Sequence, residues 1–361
     1  MTNKKLQVME LWKRNFQDTE TFIQFYFSRK YSDKHALVYE ENGKALSAFL
    51  MLPYPMNWQG ISLDTAYISG ACTAQEARNR GYMTRLLKEA LTEMNQRKIA
   101  LSTLIPAEEW LFDYYGKLGY ATVFDYSTEK YQMNEAQNKP GHTLIVNCPP
   151  TYDPDFAKSL FPYFEKKMQC RTCCIQHPAE DYLAAIEEAY LSGGRLATVH
   201  APGFASPQGW ALAVPEQEIV QIKEWFYESK QAQKALLQHF SNLWQKSTIE
   251  YKTLPNGKNS RHYGMARITN ADILLQRIAQ TRPNLSTSIA LHDTHLPANE
   301  GIYLLSQGEC QKTAYRKIQT DIETDIQTLT KALLGYHPEQ LPRNLADLTG
   351  KQIPFMNLMM D

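Results

Sequence analysis

The chain carries no excess of charge of either sign. Among its 361 residues, 38 are Lys or Arg and 38 are Asp or Glu, so the formal net charge at pH 7 is zero. Proteins that bind nucleic acid usually have a basic surplus, because neutralising the phosphate backbone supplies much of their affinity. The composition therefore argues against a nucleic-acid partner.

A long apolar run is also missing, although 43% of the residues are hydrophobic. A transmembrane helix needs about 20 consecutive apolar residues. The first residues, Met1-Thr2-Asn3-Lys4-Lys5, lead into a charged, helix-like stretch and not into an apolar signal region. We therefore expect a soluble, cytoplasmic protein with no membrane span.

Cysteine is scarce, and its spacing predicts neither a disulfide framework nor a zinc site. The motif Cys170-x-x-Cys173-Cys174 lies near His177, but zinc needs four ligands and no second Cys/His pair has a matching spacing. We expect reduced, mostly buried thiols and no metal. The cysteines are Cys72, Cys148, Cys170, Cys173, Cys174 and Cys310.

The length of the chain indicates two or three domains. The polar segment 135–142, with Pro140-Gly141, is a plausible linker. Beyond it, the order strand, strand, helix, strand echoes the first domain but lacks its arginine–glycine turn.

In the first domain we predict helices at 6–14 and 19–27, and strands at 35–39, 45–52, 61–73, 99–105 and 121–131. In the middle we predict strands at 209–214, 218–227 and 249–254, with a helix at 231–244. Near the end we predict helices at 271–279 and 321–334, and strands at 286–291 and 301–306. The last helix would start at a capping box formed by Thr320 and Glu323.

The segment 68–120 organises the first domain. It contains the turn Arg78-Asn79-Arg80-Gly81-Tyr82-Met83, followed by an apolar helical stripe. A helix that starts at a glycine turn presents unpaired N–H groups, which together with Arg78 and Arg80 favour a phosphate or pyrophosphate. The alternative is a structural turn with solvated arginines. The stripe consists of Met83, Leu86, Leu87, Ala90, Leu91 and Met94.

The second half of this segment adds the motif Tyr114-Tyr115-Gly116-Lys117-Leu118-Gly119-Tyr120. Together the two motifs resemble the GNAT acetyltransferases, although Met83 stands where that family has a small residue. The resemblance implies that Tyr115 is the general acid. It also implies acetyl-CoA as co-substrate, bound by the backbone of the preceding strand and by the turn. The residues implied are Ala71, Cys72, Thr73, Arg78, Asn79, Arg80, Gly81, Tyr82, Met83 and Thr84.

The layout of the whole chain resembles the Eis family, the enhanced-intracellular-survival acetyltransferases. The supporting stretches are 209–214, 235–244, 266–272 and 299–301. The implied fold class is α/β (α+β), with two GNAT-like mixed-sheet domains followed by a small sterol-carrier-protein-like α+β domain. The implied boundaries are 1–137 for the catalytic domain, 138–260 for the middle domain and 261–361 for the last. A homo-oligomer is also implied.

The same resemblance implies an unusual base, a carboxylate at the end of the chain, reaching back to the first domain. Here Asp361 offers a main-chain and a side-chain carboxylate, and either can serve. The preceding residues Phe355, Met356, Leu358, Met359 and Met360 are apolar, which favours a docked tail. The alternative is a tail that packs only for stability.

We therefore expect direct transfer of an acetyl group from acetyl-CoA to a primary amine, on a small molecule or a lysine-type acceptor. Tyr115 would protonate the leaving thiolate, since an ordinary tyrosine pKa near 10 keeps it protonated at neutral pH. Cys72 lacks an evident His partner and is expected to pack within its strand. The alternatives are a non-catalytic acyl-CoA or lipid-binding protein and a scaffold.

Overall fold

A computed structural model describes residues 3–133, 144–257, 259–314 and 319–360 of the chain. These residues form two compact units. Unit 1 combines Met1–Asp125 with His262–Pro354, and unit 2 combines Tyr126–Arg261 with Phe355–Met360. The boundaries 1–137, 138–260 and 261–361 stay a prediction, and the predicted linker 135–142 lies entirely outside the described residues. Within the described ranges, no helix combines the length and apolar character that crossing a membrane requires.

The first part of unit 1 confirms the predicted order of helices and strands. The Asn42-Gly43 hairpin forms with φ values of +52° and +74°. The predicted apolar stripe is buried along the third helix from Leu86 to Met94, and Met83 is partly buried. The elements are α1 (Asn3–Asn15), α2 (Glu20–Arg29), β1 (Ala36–Glu41), β2 (Lys44–Trp58), β3 (Ile61–Thr73), α3 (Tyr82–Gln96), β4 (Leu101–Leu104), α4 (Glu109–Gly116) and β5 (Ala121–Gln132). Strand β5 begins in unit 1 and ends in unit 2.

Unit 2 repeats the predicted order of strand, strand, helix and strand. Its β9 and β10 pair antiparallel, and β10 and β11 pair parallel. The elements are β6 (Ile145–Asn147), α5 (Pro154–Gln169), β7 (Cys174–Ile175), α6 (Ala179–Leu191), β8 (Arg195–His200), β9 (Gly209–Glu216), β10 (Ile219–Tyr227), α7 (Lys230–Trp244) and β11 (Thr248–Thr253).

Residues Phe355–Met360 belong to unit 2. The backbone N–H of Phe355 donates to the carbonyl of Cys173 at 2.9 Å, and that of Ile175 donates to the carbonyl of Phe355 at 3.0 Å. The Asn357 amide donates to the carbonyl of Lys223 at 2.6 Å. This part of the chain is therefore docked. Asp361, the predicted base, lies outside the described residues.

The remaining part of unit 1 returns to the first sheet and adds a second one. Strand β12 pairs antiparallel with β4, which gives the order β1-β2-β3-β4-β12 in the first sheet. The second sheet has the order β15-β14-β13-β16. The elements are β12 (Ser260–Ile268), α8 (Ala271–Thr281), β13 (Thr287–His292), β14 (Gly301–Ser306), β15 (Glu309–Thr313), β16 (Ile322–Asp325), α9 (Ile326–Leu333) and α10 (Arg343–Ala346).

The predicted helix over 321–334 is wrong over residues 321–325. Residues Ile322–Asp325 form β16, parallel to β13, and burial alternates along them as a strand requires. The helix starts after Asp325, whose carboxylate accepts from the N–H of Thr328 at 2.9 Å. The predicted Thr320–Glu323 capping box therefore does not start this helix, because a stronger N-cap lies further along the chain.

Candidate active site

Strands β3 and β4 separate at the centre of the first sheet. They pair in parallel only from Thr65 to Tyr67, and the last pair is Tyr67 with Thr103. Strand β3 continues to Thr73 along β2, with a register shift where Gly70 takes a φ of +64°. A Cβ at Gly70 would collide with the Trp12 ring, so this irregularity is packed in place.

The separation leaves one edge of β3 available. Within the described residues, Ala71, Cys72 and Thr73 pair with no strand on the side that faces β4. Unpaired strand edges hold extended ligands through main-chain hydrogen bonds. An elongated ligand with its own amide groups therefore fits along these three residues.

The turn after β3 presents free amides at the start of α3. Gly81 is the N-cap residue, with a φ of +80°, and the first helical bond runs from Arg85 N–H to its carbonyl at 2.9 Å. The N–H groups of Tyr82, Met83 and Thr84 therefore have no partner within the helix. A Cβ at Gly81 would meet no atom within 4 Å, so the space above the turn is open. An anion fits this position.

The two arginines of the turn have different environments. The guanidinium of Arg78 donates to Asn15 Oδ1 at 2.7 Å and to the carbonyl of Thr73 at 3.4 Å. Arg80 is exposed, and within the described part of the chain its side chain has no partner. Arg78 therefore fixes the turn against α1 and β3, whereas Arg80 is available to an anion.

Tyr115 lies on α4 inside the core that joins the turn to the sheet. It is 7% exposed, and the same cluster includes Ala71 and Met83. Its ring makes edge contacts with Tyr114 at 5.2 Å and with Tyr120 at 5.8 Å. Met83, which departs from the small residue expected there, packs into this core. The structure thus brings the strand edge, the turn and Tyr115 together.

The hydroxyl of Tyr115 has no hydrogen-bond partner among the described residues. Burial, followed by the neighbouring Tyr120 and Tyr114, raises the pKa of Tyr115 above its ordinary value. The group therefore stays protonated at neutral pH and can donate a proton. Tyr114, one residue earlier, bonds Thr84 Oγ1 at 3.0 Å and ties α4 to the first turn of α3.

A buried polar cluster on the α2 side of β3 was not found from the sequence. Tyr26 bonds Ser69 at 2.6 Å, and the Lys30 ammonium donates to the Tyr54 hydroxyl at 2.9 Å. Thr103 Oγ1, at the point where β3 and β4 separate, is buried without a hydrogen-bond partner in the described ranges. The hydroxyl of Tyr26 and the ammonium of Lys30 find their partners only when α2 lies on the sheet, so no local pattern indicates them.

The thiol of Cys72 is an unsuitable nucleophile. Its side chain is 6% exposed, and burial raises its pKa to about 12. This favours the predicted packing role. Among the residues that the structure describes, no group of three or more His, Cys, Asp or Glu side chains is placed to hold a metal ion.

The chain matches two known domain families. Residues 2–123 match the acetyltransferase (GNAT) domain, and residues 273–352 match the sterol carrier protein domain. The comparison with curated proteins gives no match.

Solved structures share the fold over nearly the whole chain. A probable N-acyltransferase from Enterococcus faecalis is 18% identical with a TM-score of 0.78, covering 99% of this chain and 96% of that one. A GCN5-related N-acetyltransferase from Anabaena variabilis is 16% identical with a TM-score of 0.72, covering 99% and 96%. Eis1 from Mycobacterium abscessus is 15% identical with a TM-score of 0.71, covering 97% and 95%. The predicted fold class is confirmed, and the chain carries an acetyltransferase (GNAT) domain and a sterol carrier protein domain.

Proposed function

We propose that this acyltransferase moves an acetyl group from acetyl-CoA directly to a primary amine. The observation that carries the proposal is a single path through unit 1. The unpaired edge at Ala71–Thr73 leads into the open, left-handed Gly81 turn, and Tyr115 belongs to the core cluster against which Ala71 and Met83 pack. An acyl donor with an amide-bearing arm and a pyrophosphate matches that path.

The chain offers each part of acetyl-CoA a partner of the right chemistry. The backbone groups of Ala71, Cys72 and Thr73 pair with the pantetheine amides as an added strand would. The free N–H groups at the start of α3 and the Arg80 guanidinium hold the pyrophosphate. Arg78 contributes by fixing the turn. The residues assigned to this seat are Arg78, Asn79, Arg80, Gly81, Tyr82, Met83 and Thr84.

Two residues handle the protons of the reaction. The amine nitrogen bonds to the acetyl carbon, the carbon–sulfur bond breaks, and Tyr115 protonates the leaving thiolate. A carboxylate of Asp361 accepts the proton that the amine loses. Positioning the amine against the thioester supplies a further part of the rate.

An acetyl-CoA consumption screen across small amines, polyamines, peptide termini and lysine peptides tests this function. Turnover with any amine class supports transfer. CoA binding without turnover favours the alternative, an acyl-CoA or lipid-binding protein. If acetyl-CoA leaves the melting temperature unchanged, the site does not bind it, because a ligand that binds the native state raises that temperature.

Arg80→Ala should weaken acetyl-CoA binding roughly tenfold or more, because it removes a charge-assisted bond to phosphate. Calorimetry with the purified chain measures the change. Arg97→Ala is the matched control, since Arg97 follows the other end of α3 and pairs with Glu93. Equal affinity in both variants and the parent would remove Arg80 from the seat.

Asp361→Ala should lower turnover roughly tenfold or more, with acetyl-CoA affinity unchanged, if the side chain of Asp361 is the carboxylate that accepts the amine proton. The docked contacts of Phe355 and Asn357 stay intact, so folding should be unchanged. Steady-state kinetics and calorimetry provide the two measurements. Full turnover in the variant would rule out the side chain as the base.

A further inference from the structure

We propose that a cavity between α4 and α9 of unit 1 is a second ligand site, which takes a small organic anion with an apolar body. The cavity measures about 590 Å³, a volume typical of small-molecule sites. None of the described residues that line it belongs to the acyl-donor path, so the inference goes beyond the proposed function. We call it the α4–α9 cavity, and the lining residues that carry the argument are Phe112, Asp113, Lys117, Met265, Gln327 and Lys331.

Hydrogen bonds hold the walls of the α4–α9 cavity together. The Gln327 amide on α9 donates to the carbonyl of Gly116 at 3.0 Å and to the carbonyl of Tyr120 at 2.7 Å. The first carbonyl lies at the end of α4 and the second lies just before β5. The two helices are thus joined in the absence of a ligand, so binding need not order the walls.

The loop after β13 fixes the backbone at Lys117. The Nε2 atom of His295 donates to the carbonyl of Lys117 at 2.7 Å. The Asp293 carboxylate accepts from the backbone N–H of His295 at 3.2 Å and from the Arg267 guanidinium at 2.6 Å. Arg267 also donates to the carbonyl of Leu118 at 2.7 Å. These bonds hold the residues that follow α4, and therefore keep Lys117 at the cavity.

Part of the α4–α9 cavity is apolar. Phe112 on α4 is half-buried, and Met265 on β12 is buried in the core that α4 covers. Apolar ligand surface that packs against these side chains leaves water, which contributes free energy in proportion to its area. A ring or a short alkyl chain therefore fits this part.

The charged residues of the cavity have a positive surplus. Lys117 is the C-cap residue of α4, and Lys331 lies in the last turn of α9. Neither ammonium has a hydrogen-bond or ion-pair partner among the described residues. Asp113 lies four residues before Lys117, a spacing at which side chains can pair, yet no ion pair joins the two in this part of the chain. Two cations and one anion thus line the cavity, which favours an anionic ligand.

A carboxylate or a phosphate monoester matches this arrangement. Each has several acceptor oxygens, so one head group can bond the ammonium groups of both Lys117 and Lys331. The apolar body of the same molecule can then cover Phe112. A neutral molecule of the same shape has no charge to offer either ammonium, and should bind more weakly.

The test uses phenylacetate, phenyl phosphate and the neutral phenylacetamide as probes for the full chain. Isotope-labelled methionine methyl groups provide the NMR signals, and Met265→Leu identifies the signal of Met265. Phenylacetate or phenyl phosphate should shift this signal on titration, with a dissociation constant at least about fivefold smaller than that of phenylacetamide. Binding of either anion supports the inference, and the tighter one identifies the head group.

Variants of the charged residues should change the affinity for the tighter anion in opposite directions. Lys117→Gln and Lys331→Gln should each weaken binding roughly threefold or more, because each removes a charged donor. Asp113→Asn should strengthen binding about twofold, because it removes a like charge. Lys34→Gln, a change of an exposed lysine before β1, is the control and should leave the dissociation constant unchanged.

Equal affinity for phenylacetate, phenyl phosphate and phenylacetamide would overturn the inference, and so would lysine variants that bind like the parent. A Met265 signal that stays in place with both anions at millimolar concentration would overturn it as well. The acetyl-CoA consumption screen is a separate measurement, so failure here leaves the proposed function standing.

Discussion

Tyr115→Phe should lower turnover by roughly a hundredfold or more while the affinity for acetyl-CoA is unchanged. The variant keeps the buried ring and its edge contacts with Tyr114 and Tyr120. It removes only the hydroxyl, which has no other partner among the described residues. Single-turnover kinetics and calorimetry separate the loss of acid catalysis from a loss of binding.

Tyr114→Phe is the matched control, because it removes a neighbouring hydroxyl that bonds Thr84. Its turnover should fall much less than that of Tyr115→Phe.

Burial raises the pKa of Tyr115, so the acid form persists as the pH rises through the neutral range. Turnover should therefore show no decline from ionisation of Tyr115 below about pH 10. Turnover of Tyr115→Phe within about a factor of two of the parent would mean that another group protonates the thiolate.

Asp293→Ala should destabilise unit 1 by about 3–5 kcal/mol, because it leaves the buried Arg267 guanidinium without its counter-ion. The same change removes the acceptor for the N–H groups of His295 and Leu296. Thermal and urea unfolding of the parent and the variant measure the loss.

Arg343→Ala provides the control for this loss. Arg343 and Asp347 form an ion pair at 3.8 Å, with side chains that are 95% and 66% exposed. Exposed ion pairs contribute little to the free energy of unfolding, so the control should unfold like the parent. Replacing both Arg267 and Asp293 by apolar residues of similar volume should recover part of the stability lost in Asp293→Ala. Equal stability of Asp293→Ala and the parent would contradict the role assigned to the pair.

Most of the fold and the geometry of the glycine turn were predictable from the sequence, because both depend on local patterns. The apolar stripe of α3, the Asn42-Gly43 hairpin and the glycine turn are each encoded within a few residues. The sequence did not predict that Arg78 is bound within the protein while Arg80 is exposed, because the difference depends on Asn15 at the end of α1. Residues that are distant in sequence decide which guanidinium is available.

The strand at Ile322–Asp325 and the position of His295 could not be predicted from local sequence patterns either. The strand at Ile322–Asp325 forms because β13 offers an edge for parallel pairing, which overrides the helical periodicity of its residues. No sequence pattern predicts the position of His295, because its backbone N–H is held by Asp293, which forms a buried ion pair with Arg267. Both depend on tertiary contacts that propensity does not report.

The docking of Phe355–Met360 in unit 2 has a consequence for the order in which the chain folds. The Arg171 guanidinium lies between the rings of Phe226, at 4.9 Å from its centre, and Phe355, at 4.2 Å. All of His262–Pro354 is synthesised after the body of unit 2 and before this last segment. During synthesis, residues Tyr126–Arg261 therefore lack the Phe355 ring that covers one face of the Arg171 guanidinium until the end of the chain has been made. Contacts of such large sequence separation form slowly, so closure of unit 2 is a late step that follows translation of most of unit 1.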